Sequence, residues 1–329
     1  MIAIAVLAVS ADEIRRLVPL SHEVVEAVEE GFRRIAAGAV ETPPIQRLDV
    51  PEHQGEVDVK TAYVRGWDSF AVKISSGFFG NRAQGLPTGN GLMVLFDSRT
   101  GVPKAVLLDG GHLTTLRTAA AGAVAAKHLA RKDALTLGLV GAGEQALYQA
   151  LALHLVRPFE RVLIFSRSAE GARTCAGEIT KTLGVPAAVL TDLERLVRES
   201  DILVTATPSQ EPLIQAVWLH PGLHITAIGS DAPRKRELEP SVLHEADLVA
   251  CDVLEQSLRL GECHHAVDAG LLAPGRIVEL GTIAAGQRPG RTDPAQVTVC
   301  DLTGTGVQDT AIARLAYSLA LQAGAGTQI

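Results

Sequence analysis

The sequence predicts an α/β protein: a Rossmann-type parallel-sheet domain inserted into an α+β dimerisation domain with an antiparallel sheet. Three observations predict it. Residues from about 134 to 255 alternate short apolar strands with helical segments, and G-x-G-x-x-A directly follows the first of those strands. Upstream, residues 46–109 alternate apolar and polar positions between Gly, Pro and Asn breaks, the pattern of half-buried strands.

The opening MIAIAVLAVSADEIRR has a short apolar run with no preceding positive charge and acids close behind, which reads as a strand entering a capped helix rather than a secretory signal. Ser21 to Ala37 carries apolar residues at helical spacing, with Ser21 placed as the cap. EVDVKTAYV, FAVKISSGF, GLMVLFD and KAVLLDG then form an antiparallel meander. Thr118 to Arg131 is strongly helical. After it come ALTLGLV, a helix from Glu144, RVLIFSR, a helix from Ala169, PAAVL, LERLVRES, DILVTAT, HITAIGS and DLVACD. Continuous apolar strands in strand-helix order imply a parallel sheet covered on both faces. GQRPGRTDPAQ at 286–296 is a surface loop before a last strand, VTVCDL, and a helix from Asp309 to Ala323 returns to the first domain. The boundaries are therefore 1–117 with 310–329 for the substrate-binding and dimerisation domain, and 118–309 for the cofactor domain.

Composition narrows the function. A chain of 329 residues exceeds what one core organises, so two domains are expected. The net charge of −7, with no basic block and 4% aromatic residues, argues against nucleic acid as a partner. No apolar stretch reaches about 18 uninterrupted residues, so no membrane helix is expected. Cys175, Cys251, Cys263 and Cys300 form no CxxC pair, which suits a reducing cytoplasm.

Gly141-Ala142-Gly143-Glu144-Gln145-Ala146 ends a strand and opens a helix, the context that gives this motif its value. Gly141 serves the tight turn, Gly143 lets the backbone approach a pyrophosphate, and Ala146 allows helix and strand to pack closely. Glu144 and Gln145 begin the helix whose N-terminus faces the phosphates. The next strand ends at Ser166-Arg167, where a free ribose 2′-hydroxyl would call for Asp or Glu. A hydroxyl and a guanidinium favour NADP(H), although an Arg167 stacked on adenine would serve NAD(H) as well. Thr205 and Thr207, ending DILVTAT, complete the candidate cofactor set from this region. Lys73 lies mid-strand in AVKIS, where an inward lysine needs a partner or a task. Asp231 follows HITAIGS at the strand end where such sheets bind ligands, or else caps a following helix.

LTTLRTAAAGAVAAKHLA (113–130), GAGEQA (141–146), ITAIGSDAPRKREL (225–238) and DLTGTGVQD (301–309) resemble the ornithine cyclodeaminase/mu-crystallin family over nearly the whole chain. PPIQRLDVPEHQGEVDVKTAYV, FAVKISSGFF and GECHHAVDAGLL resemble its ectoine-utilisation branch, whose members are taken as reductases. The resemblance implies that Lys73 faces substrate, that Arg117 binds its carboxylate, and that Asp231 acts on the amine or imine nitrogen. It places Arg47 near a second carboxylate arginine, though out of register with it. Lys60 stands where cyclodeaminases carry an apolar residue, a departure that counts against ornithine. Thr88, Thr118, Thr303 and Gly304 match positions beside the nicotinamide or its phosphates, and Lys235 reaches the cofactor or pairs with Asp231.

Three functions stay open at this level. One is an NADP(H)-preferring homodimeric reductase of a small imine or ketimine carboxylate; another is a cyclodeaminase that uses bound NAD(+) without net redox change; the third is an idle cofactor-binding protein. Cys263-His264-His265 lacks carboxylate-histidine spacing and is read as structural or substrate-adjacent rather than as a metal site.

Overall fold

The computed structural model describes residues 5–329, the Arg82 side chain excepted. The N-terminal strand is β1 (Leu7–Val9); the first four residues of the expected segment lie outside those described. Helix α1 (Ala11–Leu17) starts on a capping box, Ser10 accepting from the Glu13 N–H while the Glu13 carboxylate accepts from the Ser10 N–H. Helix α2 (His22–Ala36) is capped by Ser21 and buries Val24, Val25, Val28 and Phe32 on one face. Then come β2 (Val40–Glu41), β3 (Gln46–Val50), β4 (Gly55–Val64), β5 (Ser69–Phe78), β6 (Gly89–Asp97), β7 (Pro103–Leu107) and α3 (His112–Leu129). Helix α3 begins at His112 rather than Thr118. The reason is Asp109, whose Oδ2 accepts the Leu113 N–H at 2.8 Å and satisfies a donor the helix start leaves open.

The chain continues as β8 (Thr136–Val140), α4 (Glu144–Val156), β9 (Arg161–Phe165), α5 (Ala169–Leu183), β10 (Ala187–Val189), α6 (Leu193–Glu199), β11 (Ile202–Thr205) and β12 (His224–Ala227). After them lie α7 (Pro240–Glu245), β13 (Leu248–Cys251), α8 (Leu254–Ser257), α9 (Gly261–Asp268), β14 (Ile277–Glu279), α10 (Leu280–Ala284), β15 (Thr298–Asp301), α11 (Gly306–Ala323) and β16 (Thr327–Gln328).

These elements form two compact units. One runs up to Arg117 and resumes at Thr305–Ile329; the other spans Thr118–Gly304. In the first, the strands lie in the order β16-β1-β7-β6-β5-β4-β2, with β3 also on β4. The meander β3 to β7 is antiparallel throughout, but β1 joins β7 in parallel, so the sheet is mixed. Burial alternates along it: Lys60, Ala62 and Val64, Ala71 and Lys73, Met93 and Leu95 are buried, while Thr61, Val72, Val94 and Phe96 between them are not. Helix α11 covers the buried face. Its Thr310 hydroxyl donates to the Ala62 carbonyl at 3.0 Å and accepts from the Ala71 N–H at 3.1 Å.

The second unit is a parallel sheet in the order β10-β9-β8-β11-β12-β15-β13-β14. Strands β8, β11, β12 and β15 are buried at every position, as expected where helices cover both faces. The order reverses at β8, where β9 lies on one side and β11 on the other. Sheets of this kind bind ligands at such a switch point, at the carboxyl ends of the strands.

Candidate functional site

In the first unit, β4 and β5 pair so that Lys60 and Lys73 stand directly opposite on the buried face. The register sets this: both belong to the alternation that also turns Ala62 and Ala71 inward. The first turn of α11 brings Asp309 beneath Lys73, Nζ to Oδ2 at 3.1 Å. Arg117, on α3, lies at 3.0 Å from the other oxygen of Asp309, and its NH1 donates to Gln308 Oε1 at 3.0 Å. All are buried: Lys73 is 1% exposed, Arg117 6% and Asp309 not at all. Two buried guanidinium and ammonium groups therefore share one carboxylate.

Burial pushes the Lys73 ammonium down to about 7; Asp309 opposes that shift, while Arg117 and Lys60 add to it. For Asp309, burial works to raise the carboxyl, and the surrounding charges of Lys73, Arg117 and Lys60 outweigh it and hold it low. Gln308 adds a buried amide nitrogen whose hydrogens no group among the described residues accepts. Asp109 stands near Lys73, its carboxyl raised chiefly by burial.

Arg47 does not join this cluster. Its guanidinium is held by Asp49 at 3.0 Å, by Glu56, and by Asp58 at 3.6 Å. Thr88 is exposed, and its carbonyl accepts the Phe78 N–H.

In the second unit the remaining candidates gather along the carboxyl edge of the sheet. Gly141 has φ +116°, and a β-carbon there would lie 2.5 Å from the Ala206 carbonyl oxygen, so only glycine fits. Gly143 is the N-cap of α4, and a β-carbon on it would meet nothing within 4 Å. The chain thus leaves open space at a helix N-terminus that begins with Glu144 and Gln145, which fits a pyrophosphate. Ser166 and the exposed Arg167 form the tip after β9, followed by Ser168, which caps α5.

The other residues of that edge are held by acids. Thr205 donates its hydroxyl to Glu237, and Thr207 donates both its N–H and its hydroxyl there. Thr303 and Gly304 are fixed by Asp252, which accepts both their N–H groups and the Thr303 hydroxyl. Asp231 lies in an irregular segment after β12, and no helix follows until Pro240, so it caps none. Its Oδ1 accepts from Lys235 Nζ at 2.7 Å, and its side chain is 43% exposed. Thr118 offers its carbonyl to Gln149.

His265 Nε2 lies 2.9 Å from the Lys235 carbonyl, and His264 faces Asp268 at 3.6 Å. Among the described residues no group of three or more His, Cys, Asp or Glu is arranged to hold a metal. Asp309 was expected only as the start of the last helix, and no role was expected for Gln308, Asp252 or Glu237. Asp309 had one signal available, an acid in the first turn of the last helix, three residues past the DLTGTG segment.

A doubly wound parallel sheet with a glycine turn at its switch point is the architecture of dinucleotide-binding domains. The chain belongs to the ornithine cyclodeaminase/mu-crystallin family, whose model matches residues 6–324. A protein of Rhizobium meliloti (strain 1021) that carries the provisional name of a dehydrogenase is 52% identical over 96% of each chain. The structure of Thermococcus litoralis Δ(1)-pyrroline-2-carboxylate reductase with NADH and L-proline is similar at a TM-score of 0.93, with 32% identity, covering 98% of this chain and 100% of that one. An archaeal alanine dehydrogenase dimer with bound NAD is similar at 0.91, with 34% identity and 99% of each chain covered. The chain is accordingly an enzyme, an NAD-dependent oxidoreductase or a cyclodeaminase. Among the described residues no helix is long and apolar enough to cross a membrane.

Proposed function

We propose that the protein is an NAD(P)H-dependent reductase of a small cyclic imine or ketimine carboxylate, working as a homodimer. The observation that carries this reading is the sharing of Asp309 by Lys73 and Arg117, two buried cations with one fixed countercharge. A buried cation left short of negative charge is costly, and an incoming carboxylate supplies what is missing. Arg117 offers the planar fork suited to a carboxylate, Lys73 a point charge beside it, and Lys60 further positive potential. These roles fit an imino acid, whose reacting carbon adjoins its carboxylate.

When bound, the nicotinamide supplies a hydride to that carbon. The electron pair of the C=N bond then takes a proton at nitrogen, and the product is the amino acid. Asp231 is the group proposed to hold and deliver that proton, with Lys235 positioning its carboxylate. Ser166 and Arg167 are proposed to favour NADPH by meeting a 2′-phosphate, whereas the two similar structures above carry NADH and NAD. Four free, buried thiols accord with a reducing cytoplasm.

The test is an assay with two arms on the purified protein. Cyclic imino acids are offered with NADPH or NADH, and ornithine or lysine with NAD(+). Loss of absorbance at the reduced-nicotinamide band in the first arm is the expected result. Ammonia release in the second arm without net absorbance change would instead make the protein a cyclodeaminase.

A further inference from the structure

Glu237 is wholly buried at the carboxyl edge of the parallel sheet, and both its oxygens are saturated by donors from two strand ends. Oε1 accepts the Thr207 N–H at 2.6 Å and the Thr207 hydroxyl at 2.7 Å. Oε2 accepts the Thr205 hydroxyl at 2.7 Å and the Gly229 N–H at 2.9 Å. Thr205 closes β11, and Gly229 follows β12. The Glu237 N–H in turn donates to Glu262 on α9 at 2.7 Å, which anchors the return of the Asp231 segment. The loop that Glu237 holds also backs the glycine turn, because the Ala206 carbonyl sits against Gly141.

Packing alone does not call for an acid here. Burial pushes the Glu237 carboxyl up to about 7 even with four donors opposing it. Two of those donors are backbone N–H groups, which cannot turn round to accept. A carboxylate is the one side chain of this size that can receive all four.

We infer that Glu237 is a positioning residue for the nicotinamide half of the dinucleotide: its carboxylate fixes the loops after β11 and β12 relative to each other and to the glycine turn. The inference rests on the dinucleotide reading of this unit. In a sheet of this order the first turn receives the pyrophosphate and the tip after β9 the adenosine ribose. The nicotinamide half is left to the β11 and β12 side, where Glu237 acts.

Glu237→Gln keeps the shape but presents an NH2 to donors on one side. The measurement is the dissociation constant of NADH, NADPH and ADP-ribose for the unchanged protein and for Glu237→Gln, together with kcat on an accepted imino acid. Expected are about tenfold weaker binding of the reduced dinucleotides, ADP-ribose affinity held within about twofold, and a lower kcat at saturating cofactor. Equal dinucleotide affinity and turnover in the two proteins would overturn the inference. So would parallel loss of ADP-ribose and dinucleotide binding, which would make Glu237 a support of the whole unit. If Glu237→Gln does not fold, Thr207→Val removes one donor and carries the same comparison with a smaller expected shift. Failure of the unchanged protein to bind any dinucleotide would overturn the underlying reading, and this inference with it.

Discussion

Lys73 and Asp231 divide the proposed chemistry between a charge that binds and an acid that moves a proton. Asp231→Asn keeps size and part of the contact to Lys235 but can neither give nor take the proton. Turnover is expected to fall by about 10²–10⁴-fold with cofactor affinity unchanged; near-normal turnover would remove Asp231 from the mechanism. Lys73 gives a pH dependence of definite sign. Its ammonium is held down to about 7, so it is cationic below that pH and loses its charge as pH rises through it. Carboxylate binding needs the charged form, so kcat/KM is expected to decline above about pH 7. Lys73→Arg keeps the charge across that range, and whatever activity it retains should lack this limb. The same shift bears on stability. The unfolded chain binds the proton more tightly, so between about pH 7 and the ordinary lysine range Lys73 makes stability rise with pH.

At the scale of elements, the tip after β9 is where the proposed cofactor preference lies. Arg167→Ala is expected to remove most of any NADPH advantage, about 1.5–3 kcal/mol or roughly ten- to hundredfold in dissociation constant. Equal NADPH and NADH affinities in the unchanged protein would contradict the assignment. Elements of this kind were legible in the sequence because their signals are local. Ser21 caps α2, β4 to β6 alternate, and the glycine turn sits where β8 gives way to α4. The start of α3 was less legible: Thr114 and Thr115 weaken the helical signal, and the Asp109 cap that offsets them acts through a fold-dependent contact. The short elements α8, α9, β14 and α10 have too few residues to show a period. The acids that complete the sites were the least legible. Lys73 meets Asp309 from the far end of the chain, and Glu237 has meaning only once β11 and β12 lie side by side.

For the whole molecule, the meander's second face argues for assembly. Val72, Val94 and the stacked pair Phe70–Phe96 are only partly buried, while Tyr63 and Ile74 are exposed at 37% and 38%. Contiguous apolar residues on an outer sheet face mark an interaction surface. A second copy of the same face is the proposed cover, giving a twofold dimer. The mass in solution at micromolar concentration should be that of a dimer, and Ile74→Asp should shift it toward the monomer. A monomeric mass for the unchanged protein would contradict the proposal.

In the proposed reaction, hydride reaches the carbon bearing the carboxylate while Lys73 and Arg117 hold that group. The most direct test is reduction of a cyclic imino acid with nicotinamide cofactor deuterated at C4 on the transferred face, followed by mass and NMR analysis of the product. Expected are one deuterium at the α-carbon and one equivalent of oxidised cofactor for each product molecule. Product without deuterium, or product formed without oxidation of the cofactor, would contradict it.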